Sequence, residues 1–169
     1  MKNPREQIVI EARKYLGIRE ESKNRFTGIS KLWDATSYPD GWRYREPYCA
    51  AFVCYMVYRA RMAMPGVFGG QRCKSAKCSE WMKWARGKAS GCMITRLPKA
   101  GDIVNYLPNR SHLGIVERYD AMKRVVHTIE GNTDDGGSGE GDGIYRMQRK
   151  LSFCGEFYRV PVLPAAGNP

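Results

Sequence analysis

The hydrophobic pattern of this chain changes its period at Pro98, and this change constrains the fold more than any other feature. Before Pro98, apolar residues recur at the spacing of amphipathic helices. After Pro98, apolar and polar residues alternate, which is typical of strands with one buried face. Helices followed by strands indicate an α+β domain, in which N-terminal helices pack on one face of a C-terminal antiparallel sheet.

Three helices are predicted in the first half. The first begins in Asn3–Glu6, which combines a cap residue, a proline at the first helical position and a capping-box glutamate. Two more are predicted from Pro47 to Pro65 and over about residues 75–86. Residues 18–46 are irregular and are predicted as a long loop with a short helix near residues 30–34. Loops of that length in a compact domain are usually functional.

About five strands are predicted in the second half, over residues 102–107, 112–119, 125–132, 144–148 and 156–163. The sequence shows no internal repeat and no linker. We therefore predict a single domain over residues 1–169, with a core over about 8–160 and a short irregular tail over 163–169.

The composition is that of a chain that can build a core. With 169 residues, 43% of them apolar and 11% aromatic, it can bury roughly two-thirds of its unfolded surface. This excludes a disordered tail and a scaffold that needs disulfides or metal to fold. No apolar stretch approaches the roughly 18 residues of a membrane span, and the N-terminus lacks the apolar run of a signal peptide. We expect synthesis in the cytoplasm without a signal peptide.

The chain is strongly basic, with 28 Lys and Arg against 17 Asp and Glu, a formal charge of +11. Such a charge attracts anions, such as nucleic acid, an anionic membrane surface or the anionic polymers of a bacterial envelope. The basic residues are spread along the chain, and no nucleic-acid-binding signature is present. We therefore expect no nucleic-acid partner.

Six cysteines are present, at positions 49, 54, 73, 78, 92 and 154. Without an export signal they argue against a disulfide framework, because cytosolic thiols stay reduced. Most are expected to be small buried hydrophobes. Cys73 and Cys78 are separated by four residues, and both histidines lie far downstream, which does not fit a structural zinc site. We predict no metal and no cofactor.

Cys49 differs from the other cysteines by its position. It lies two residues after Pro47, in the first turn of the predicted second helix, where unpaired N–H groups and the helix dipole stabilise a thiolate. Cys54 lies more than one turn further on and is interpreted as structural. A cysteine nucleophile needs a base that works near neutral pH, and the candidates are His112 and His127.

The register of a predicted hairpin selects between the two histidines. If the strands on either side of residues 120–124 pair, opposed positions sum to about 244. His127 then points to the sheet face opposite that of His112. The residues that share a face with His112 are Gly114, Glu130 and Asn132. A bulge in the hairpin would shift this register by one residue.

Two residues on that face can orient the predicted base. Either Glu130 or Asn132 can accept the second ring N–H of His112, fix its tautomer and stabilise the imidazolium. Gly114, opposite Glu130, leaves room for that contact. His127 is interpreted as a structural histidine.

Four motifs together resemble a known family. They are EPYCAAFV (46–53), PKAGDIV (98–104), HLGIVE (112–117) and TIEGNT (128–133). In this order they resemble CHAP domains, the cysteine- and histidine-dependent amidohydrolases/peptidases of the papain-like, NlpC-type group. These are common in phage endolysins and bacterial cell-wall hydrolases. The resemblance covers about residues 8–160.

The resemblance implies a papain-like fold, with Cys49 as the nucleophile and His112 as the base. It implies that Glu130 and Asn132 are the orienting and polar groups. The implied reaction is cleavage of a peptide-stem amide of peptidoglycan, by an N-acetylmuramoyl-L-alanine amidase or an endopeptidase. We expect a monomeric phage endolysin that acts at the cell wall after holin release and is attracted to the anionic envelope by its charge.

Three alternatives share these residues. The chain is also consistent with an amidase effector injected by a secretion system. A Cys–His protease or transpeptidase would use the same groups on another amide substrate. A catalytically silent basic binding module would keep Cys49 and His112 as core residues and would show a thiol of ordinary reactivity.

Aromatic residues just upstream of the nucleophile are candidates for lining the substrate cleft. They are Trp42, Tyr44 and Tyr48. Tyr48 stands where the family often has tryptophan, a change that keeps an aromatic wall.

Acidic residues offer little support for a calcium site. Some family members carry a calcium loop upstream of the cysteine, but Asp34 and Asp40 are too few to form one. The acidic, Gly-rich segment 134–143 is predicted to be a mobile loop beside the active site, with weak calcium binding as the alternative.

Overall fold

The computed structural model describes residues 3–21, 27–44, 46–109, 111–137 and 141–163. Over these ranges four α-helices precede a six-stranded antiparallel sheet, which confirms the predicted α+β class. The helices are α1 (Glu6–Arg13), α2 (Thr27–Ser30), α3 (Cys49–Ala63) and α4 (Cys78–Arg86). The strands are β1 (Met93–Thr95), β2 (Ile103–Tyr106), β3 (Leu113–Asp120), β4 (Val125–Thr133), β5 (Gly143–Lys150) and β6 (Cys154–Arg159), in the order β1-β6-β2-β3-β4-β5.

The helices begin later than the sequence pattern predicts. Helix α3 begins at Cys49 rather than Pro47, because Tyr48 has a non-helical backbone with φ −111° and ψ 11°. Helix α4 begins at Cys78 rather than near residue 75. A 3-10 helix over Lys31–Ala35 occupies the place of the predicted short helix.

Three predicted segments fall partly outside the described residues. They are the long loop at 22–26 and 45, the Gly-rich segment at 138–140 and the tail at 164–169. Within the described ranges, no helix has the length and apolar character needed to cross a bilayer.

Strand β1 is an edge strand that the sequence pattern did not indicate. It pairs with β6, with Met93 opposite Arg159 and Thr95 opposite Phe157. Its three residues are too few to show an alternating pattern. Its first residue is exposed, so the strand contributes backbone pairing more than core.

Helix α3 lies at the centre of the main core. Its buried apolar residues include Phe52, Val53, Met56, Val57 and Ala60, which recur at helical spacing. They pack with residues from α1 and from the sheet, including Ile8, Ala12, Ile115 and Ile129. A second, smaller cluster contains Val104, Tyr106, Val116, Val126, Cys154 and Phe157. Because successive side chains alternate across a strand, this second cluster lies on the opposite face of the sheet.

The motif over residues 98–104 forms a turn that ties the sheet to the N-terminus. Gly101 has φ +82°, and a Cβ there would lie 2.2 Å from the Arg5 carbonyl oxygen, so glycine is required. Asp102 is fully buried and accepts the Lys99 N–H at 2.9 Å. Arg159 donates to both carboxylate oxygens of Asp102, at 2.9 and 2.7 Å. This motif therefore holds the fold together and lies apart from the predicted chemistry.

Candidate active site

Cys49 is the first residue of α3 and is almost completely buried, with 3% of its surface exposed. The first N–H groups of a helix have no carbonyl partner within it, and they carry the positive end of the helix dipole. The thiol therefore lies where a negative charge is stabilised.

His112 lies directly before β3 and is also buried. Its Nε2 lies 3.0 Å from Glu130 Oε2. The Tyr106 ring stacks on the imidazole, with centroids 5.6 Å apart. Its other ring nitrogen, Nδ1, is buried and has no hydrogen-bond partner within the usual distance among the described residues. Nδ1 is thus the ring nitrogen left to exchange a proton with the Cys49 thiol.

The hairpin register explains why His112 and Glu130 meet. Ile115 pairs with Ile129, and Val116 pairs with Thr128, so opposed positions sum to 244 at this end of the hairpin. A bulge lies further along, between Val116 and Arg118, and it shifts only the part nearer the turn. The predicted face is therefore kept where the site forms.

Gly114 makes the space for the Glu130 carboxylate. A Cβ at this position would lie 2.8 Å from Glu130 Cγ and 2.4 Å from the Tyr106 hydroxyl oxygen. Any larger residue would push against the group that holds His112.

Glu130 is fully buried and saturated with hydrogen bonds. Arg149 donates to both carboxylate oxygens, from Nε at 3.0 Å and from Nη2 at 2.5 Å. The hydroxyls of Tyr106 and Thr128 donate to Oε1 at 2.7 and 2.5 Å. Burial acts to raise the pKa of Glu130, but the bonds from His112 and Arg149 outweigh it and lower this pKa to about 2.

The Cys49 thiol contacts a second cysteine, Cys78, which is the first residue of α4. Their sulfurs lie 3.4 Å apart. Hydrogen bonding with Cys78 lowers the pKa of Cys49 well below its ordinary value, against the effect of burial, and the charge of His112 lowers it further. The same contact, with burial, raises the pKa of Cys78. These opposite shifts favour the thiolate on Cys49, with Cys78 as the hydrogen-bond donor.

The charges of the site favour an ion pair. Burial acts to lower the pKa of His112, but the negative charges of Cys49 and Glu130 raise it to about 10. These shifts favour a thiolate on Cys49 and an imidazolium on His112 at neutral pH. A buried thiolate paired with an acid is the arrangement of a cysteine nucleophile.

A cleft of about 440 Å³ opens onto Cys49 and Cys78. Its walls also contain Trp33, Tyr38, Glu46, Pro47, Ala76, Lys77, Ser79, Met82, Asn109 and Ser111. The wall is mostly apolar, with a few polar side chains among the lining residues. Its volume is in the range of sites that bind small ligands.

The aromatic residues predicted to line the cleft take other positions. Tyr48 has no exposed surface and belongs to the main core, so its assignment to a substrate cleft is wrong. Trp42 packs against the same core, with the Arg43 guanidinium over its ring. Tyr44 is 66% exposed and stacks on Tyr38, which does line the cleft.

Asn132 and His127 occupy different environments from Glu130 and His112. Asn132 is buried at a register shift in β4 with φ +60°, and its backbone lies near the Tyr48 hydroxyl. His127 lies beyond the bulge, opposite Arg118. Burial and the charge of Arg118 lower the pKa of His127, which is opposite to the shift of His112.

Sequence reasoning missed two residues of the site, Cys78 and Arg149. Cys78 begins its helix as Cys49 does, and a later helix start in the prediction would have shown it. Arg149 lies on β5, the neighbour of β4, at the same parity as residue 145, which pairs with Glu130. The predicted strand ended at residue 148, one residue short of this arginine.

Comparison with known protein families identifies the family of this chain. Residues 38–132, more than half of the 169-residue chain, match the family model of the CHAP domain. The chain belongs to the CHAP family. The matched segment of the CHAP domain includes Cys49, Cys78, His112 and Glu130. Arg149 lies outside the matched segment.

A solved structure similar to this CHAP domain is described as the crystal structure of Ly7917 with the hydrolyzing product of MDP. The two share 13% sequence identity with a TM-score of 0.42, over 94% of this chain and 63% of that one. The chain therefore spans less than two-thirds of that protein's length. No curated protein shows significant similarity to this chain.

Metal-ligating residues do not cluster in the described part of the chain. Among those residues, no group of three or more His, Cys, Asp or Glu side chains is placed to hold a metal ion.

Proposed function

We propose that this CHAP domain is a cysteine-dependent peptidoglycan hydrolase that cleaves an amide of the peptide stem. The observation that carries the proposal is a set of three neighbouring groups, the first of which lines the cleft. A thiol begins α3, an imidazole is electrostatically coupled to it, and a buried carboxylate lies 3.0 Å from that imidazole. Family membership supports the same chemistry.

In the first step, the Cys49 thiolate attacks the carbonyl carbon of the amide. The carbonyl oxygen becomes negatively charged, and the first N–H groups of α3, including that of Cys49, stabilise it. His112 then gives its proton to the leaving amine, and the bond between carbon and nitrogen breaks. The product of this step is a thioester on Cys49.

In the second step, water hydrolyses the thioester. His112, now neutral, takes a proton from the water while its oxygen attacks the thioester carbonyl. The bond between carbon and sulfur breaks and the thiolate returns. Glu130 holds the imidazole in place and stabilises its charged form through both steps.

The biological setting is part of the proposal. A net charge of +11 favours binding to the anionic envelope, where the peptide stem is found. We propose a monomeric lysin of the phage endolysin kind, acting at the cell wall. Whether it acts as an amidase or an endopeptidase depends on how the cleft holds the stem.

The test is digestion of purified peptidoglycan by the wild type and by Cys49→Ala, with the released fragments identified by mass spectrometry. New fragments are expected from the wild type alone. A free lactyl group identifies an amidase, and a freed stem-peptide amine identifies an endopeptidase. Cys92→Ala is the matched control, because Cys92 is a partly buried cysteine outside the cleft lining.

Two results would contradict the proposal. If Cys49→Ala released the same fragments as the wild type, Cys49 would not be the nucleophile. A lack of fragments from the wild type across several wall types would remove peptidoglycan as the substrate and would favour another amide or a binding role.

A further inference from the structure

The proposed hydrolysis uses one thiol, yet the cleft contains two. Cys49 begins α3 and Cys78 begins α4, so the N-termini of two helices meet at one point. Their sulfurs lie 3.4 Å apart, and both residues line the same cleft. Acyl transfer does not require the second sulfur, because a hydroxyl can also donate a hydrogen bond to a thiolate.

We propose that Cys49 and Cys78 form a reversible disulfide when the protein meets hydrogen peroxide, and that this disulfide switches the nucleophile off. The effect on hydrolysis rests on the proposed role of Cys49. The disulfide itself does not, since it depends only on the two sulfurs and the oxidant.

The geometry needs little change to form this bond. A disulfide joins its sulfurs at about 2.05 Å. The sulfurs therefore have to approach by roughly 1.4 Å from their separation of 3.4 Å. The two cysteines are 29 residues apart in sequence, so the bond would also tie α3 to α4.

The chemistry proceeds in two balanced steps. First, the Cys49 thiolate attacks one oxygen of hydrogen peroxide; the O–O bond breaks, and the released hydroxide takes up a proton to become water. Cys49 is then a sulfenic acid. Second, the Cys78 sulfur loses its proton and attacks the Cys49 sulfur; the S–O bond breaks, and the hydroxide leaves with that proton as water. Two thiols and one peroxide give one disulfide and two waters.

A dithiol reverses the reaction. Dithiothreitol supplies two electrons, attacks the disulfide through a mixed disulfide and becomes a cyclic disulfide itself. Both thiols are then restored on the protein.

Cys54, Cys92 and Cys154 have raised pKa values and are less suited to start this reaction. Hydrogen bonding with Cys54 lowers the pKa of Cys73, so Cys73 is the competing thiol that the peptide map below tests. Oxidation begins at the thiolate, and Cys49 is the one placed beside a positive imidazole. Cys54 donates to the Ser75 carbonyl at 3.3 Å and has a raised pKa, through hydrogen bonding with Cys73 and through burial. Burial raises the pKa of Cys92 to about 11.

The experiment treats the reduced wild-type protein with equimolar hydrogen peroxide and then alkylates the remaining thiols with iodoacetamide. Digestion without a reductant, followed by mass spectrometry, identifies the cross-linked peptides. We expect one product, in which the peptide of Cys49 is joined to that of Cys78. Alkylation of Cys49 is expected to fall in the same proportion and to return after dithiothreitol. Peptidoglycan hydrolysis is expected to follow the alkylation.

Two variants sharpen the result. Cys78→Ser keeps a hydrogen-bond donor but removes the second sulfur, so peroxide is expected to carry Cys49 on to the sulfinic acid, which dithiothreitol does not reverse. Cys92→Ser is the matched control and is expected to form the same disulfide as the wild type. Because the wild-type peptide map needs no variant, a poorly folding Cys78→Ser protein does not prevent the test.

Two outcomes would overturn the inference, and a third would bear only on the proposed function. A disulfide between Cys54 and Cys73 alone would place the oxidation elsewhere. Sulfinic acid on Cys49 at equal rates in the wild type and Cys78→Ser would show that Cys78 does not protect it. A Cys49–Cys78 disulfide in a protein that hydrolyses no peptidoglycan would contradict only the proposed function, since reversible loss of Cys49 alkylation would still be seen.

Discussion

The two halves of the candidate site are built in opposite ways. On the thiol side, Cys49 and Cys78 contact each other at the edge of an open, mostly apolar cleft. On the carboxylate side, Glu130 is sealed from solvent and receives hydrogen bonds from His112, Arg149 and two hydroxyls. The helices supply the first side and the sheet supplies the second.

The difference indicates that the two sides have different roles: the carboxylate side positions the imidazole, and the thiol side reacts with the substrate. A carboxylate with all its acceptor positions filled has one low-energy position, so it fixes the imidazole that it holds. A thiolate with few donors keeps its nucleophilic character and remains open to substrate. Changes on the carboxylate side should therefore cost stability and activity together. Changes on the thiol side should alter reactivity with little loss of stability.

The largest effect is expected from Arg149→Leu, which breaks the carboxylate side. Glu130 would lose its bidentate partner while remaining buried, and we expect a loss of about 3 kcal/mol in the free energy of unfolding. Activity should fall as well, because Glu130 would no longer be fixed. Urea denaturation measures the stability, and peptidoglycan digestion measures the activity.

The matched control is Arg146→Leu on the same strand. Arg146 pairs with Glu117, but its side chain is 58% exposed, so we expect a loss below about 1 kcal/mol. Equal losses from the two substitutions would show that burial of the Glu130 pair does not matter and would remove the contrast between the two sides.

A second effect on the carboxylate side is expected from Gly114→Ala. The new methyl group would lie 2.4 Å from the Tyr106 hydroxyl and 2.8 Å from Glu130 Cγ, and such overpacking costs about 1–3 kcal/mol. We expect lower kcat, because His112 moves with Glu130. In a double-mutant cycle, Tyr106→Phe removes the oxygen in closest contact, so the two losses should be less than additive. Strict additivity would contradict the predicted clash.

Much of the site could be predicted because it depends on local rules. The position of Cys49 after Pro47 was enough to place it in the first turn of a helix. The period of two in a strand was enough to put His112 and Glu130 on one face, although the sequence left Asn132 equally open. Gly114 could be interpreted because only a missing side chain leaves room across a strand pair.

The remainder depends on contacts that no local rule reports. Cys78 contacts Cys49 because the N-termini of α3 and α4 converge. The spacing of apolar residues within each helix does not indicate how the two helices pack against each other. The bulge beyond Val116 is likewise invisible in the hydrophobic pattern, and it happens to lie away from the site. Tyr48 was predicted from its place beside the nucleophile to line the cleft. The non-helical backbone at this residue, directly before α3, instead places its ring in the core.

On the thiol side, the pH dependence of activity distinguishes the effect of His112 from that of Cys78. Activity needs thiolate and imidazolium together, so it should persist from neutral pH and fall as His112 loses its proton near pH 10. Cys78→Ala removes the hydrogen bond that lowers the pKa of Cys49, so the acid limb of kcat/KM should move to higher pH. Cys78→Ser keeps a donor and should move it less. An unchanged acid limb in Cys78→Ala would show that Cys78 does not stabilise the thiolate.

The same pKa values predict how stability depends on pH. The raised pKa of His112 stabilises the fold fully below about 6.5, and this contribution is lost as the pH rises through about 10. The lowered pKa of Glu130 stabilises the fold above about 4.5, and this contribution is lost as the pH falls through about 2. Urea midpoints measured across both ranges test this. In Arg149→Leu the pKa of Glu130 should lie closer to its ordinary value, so the loss of stability on the acid side should be smaller than in the wild type.

The smallest effect is expected at the cleft wall, from Tyr38→Leu. Tyr38 packs edge-on against Trp33, with centroids 6.0 Å apart, and faces the cleft without touching the reacting groups. Loss of an aromatic contact between Tyr38 and the bound substrate, worth about 1 kcal/mol, should raise KM by roughly fivefold and leave kcat unchanged. Tyr44→Leu, on the outer side of the same stack, should change KM less. A fall in kcat at constant KM would mean that this wall positions the reacting groups. The thiol side of the site would then be as tightly organised as the carboxylate side.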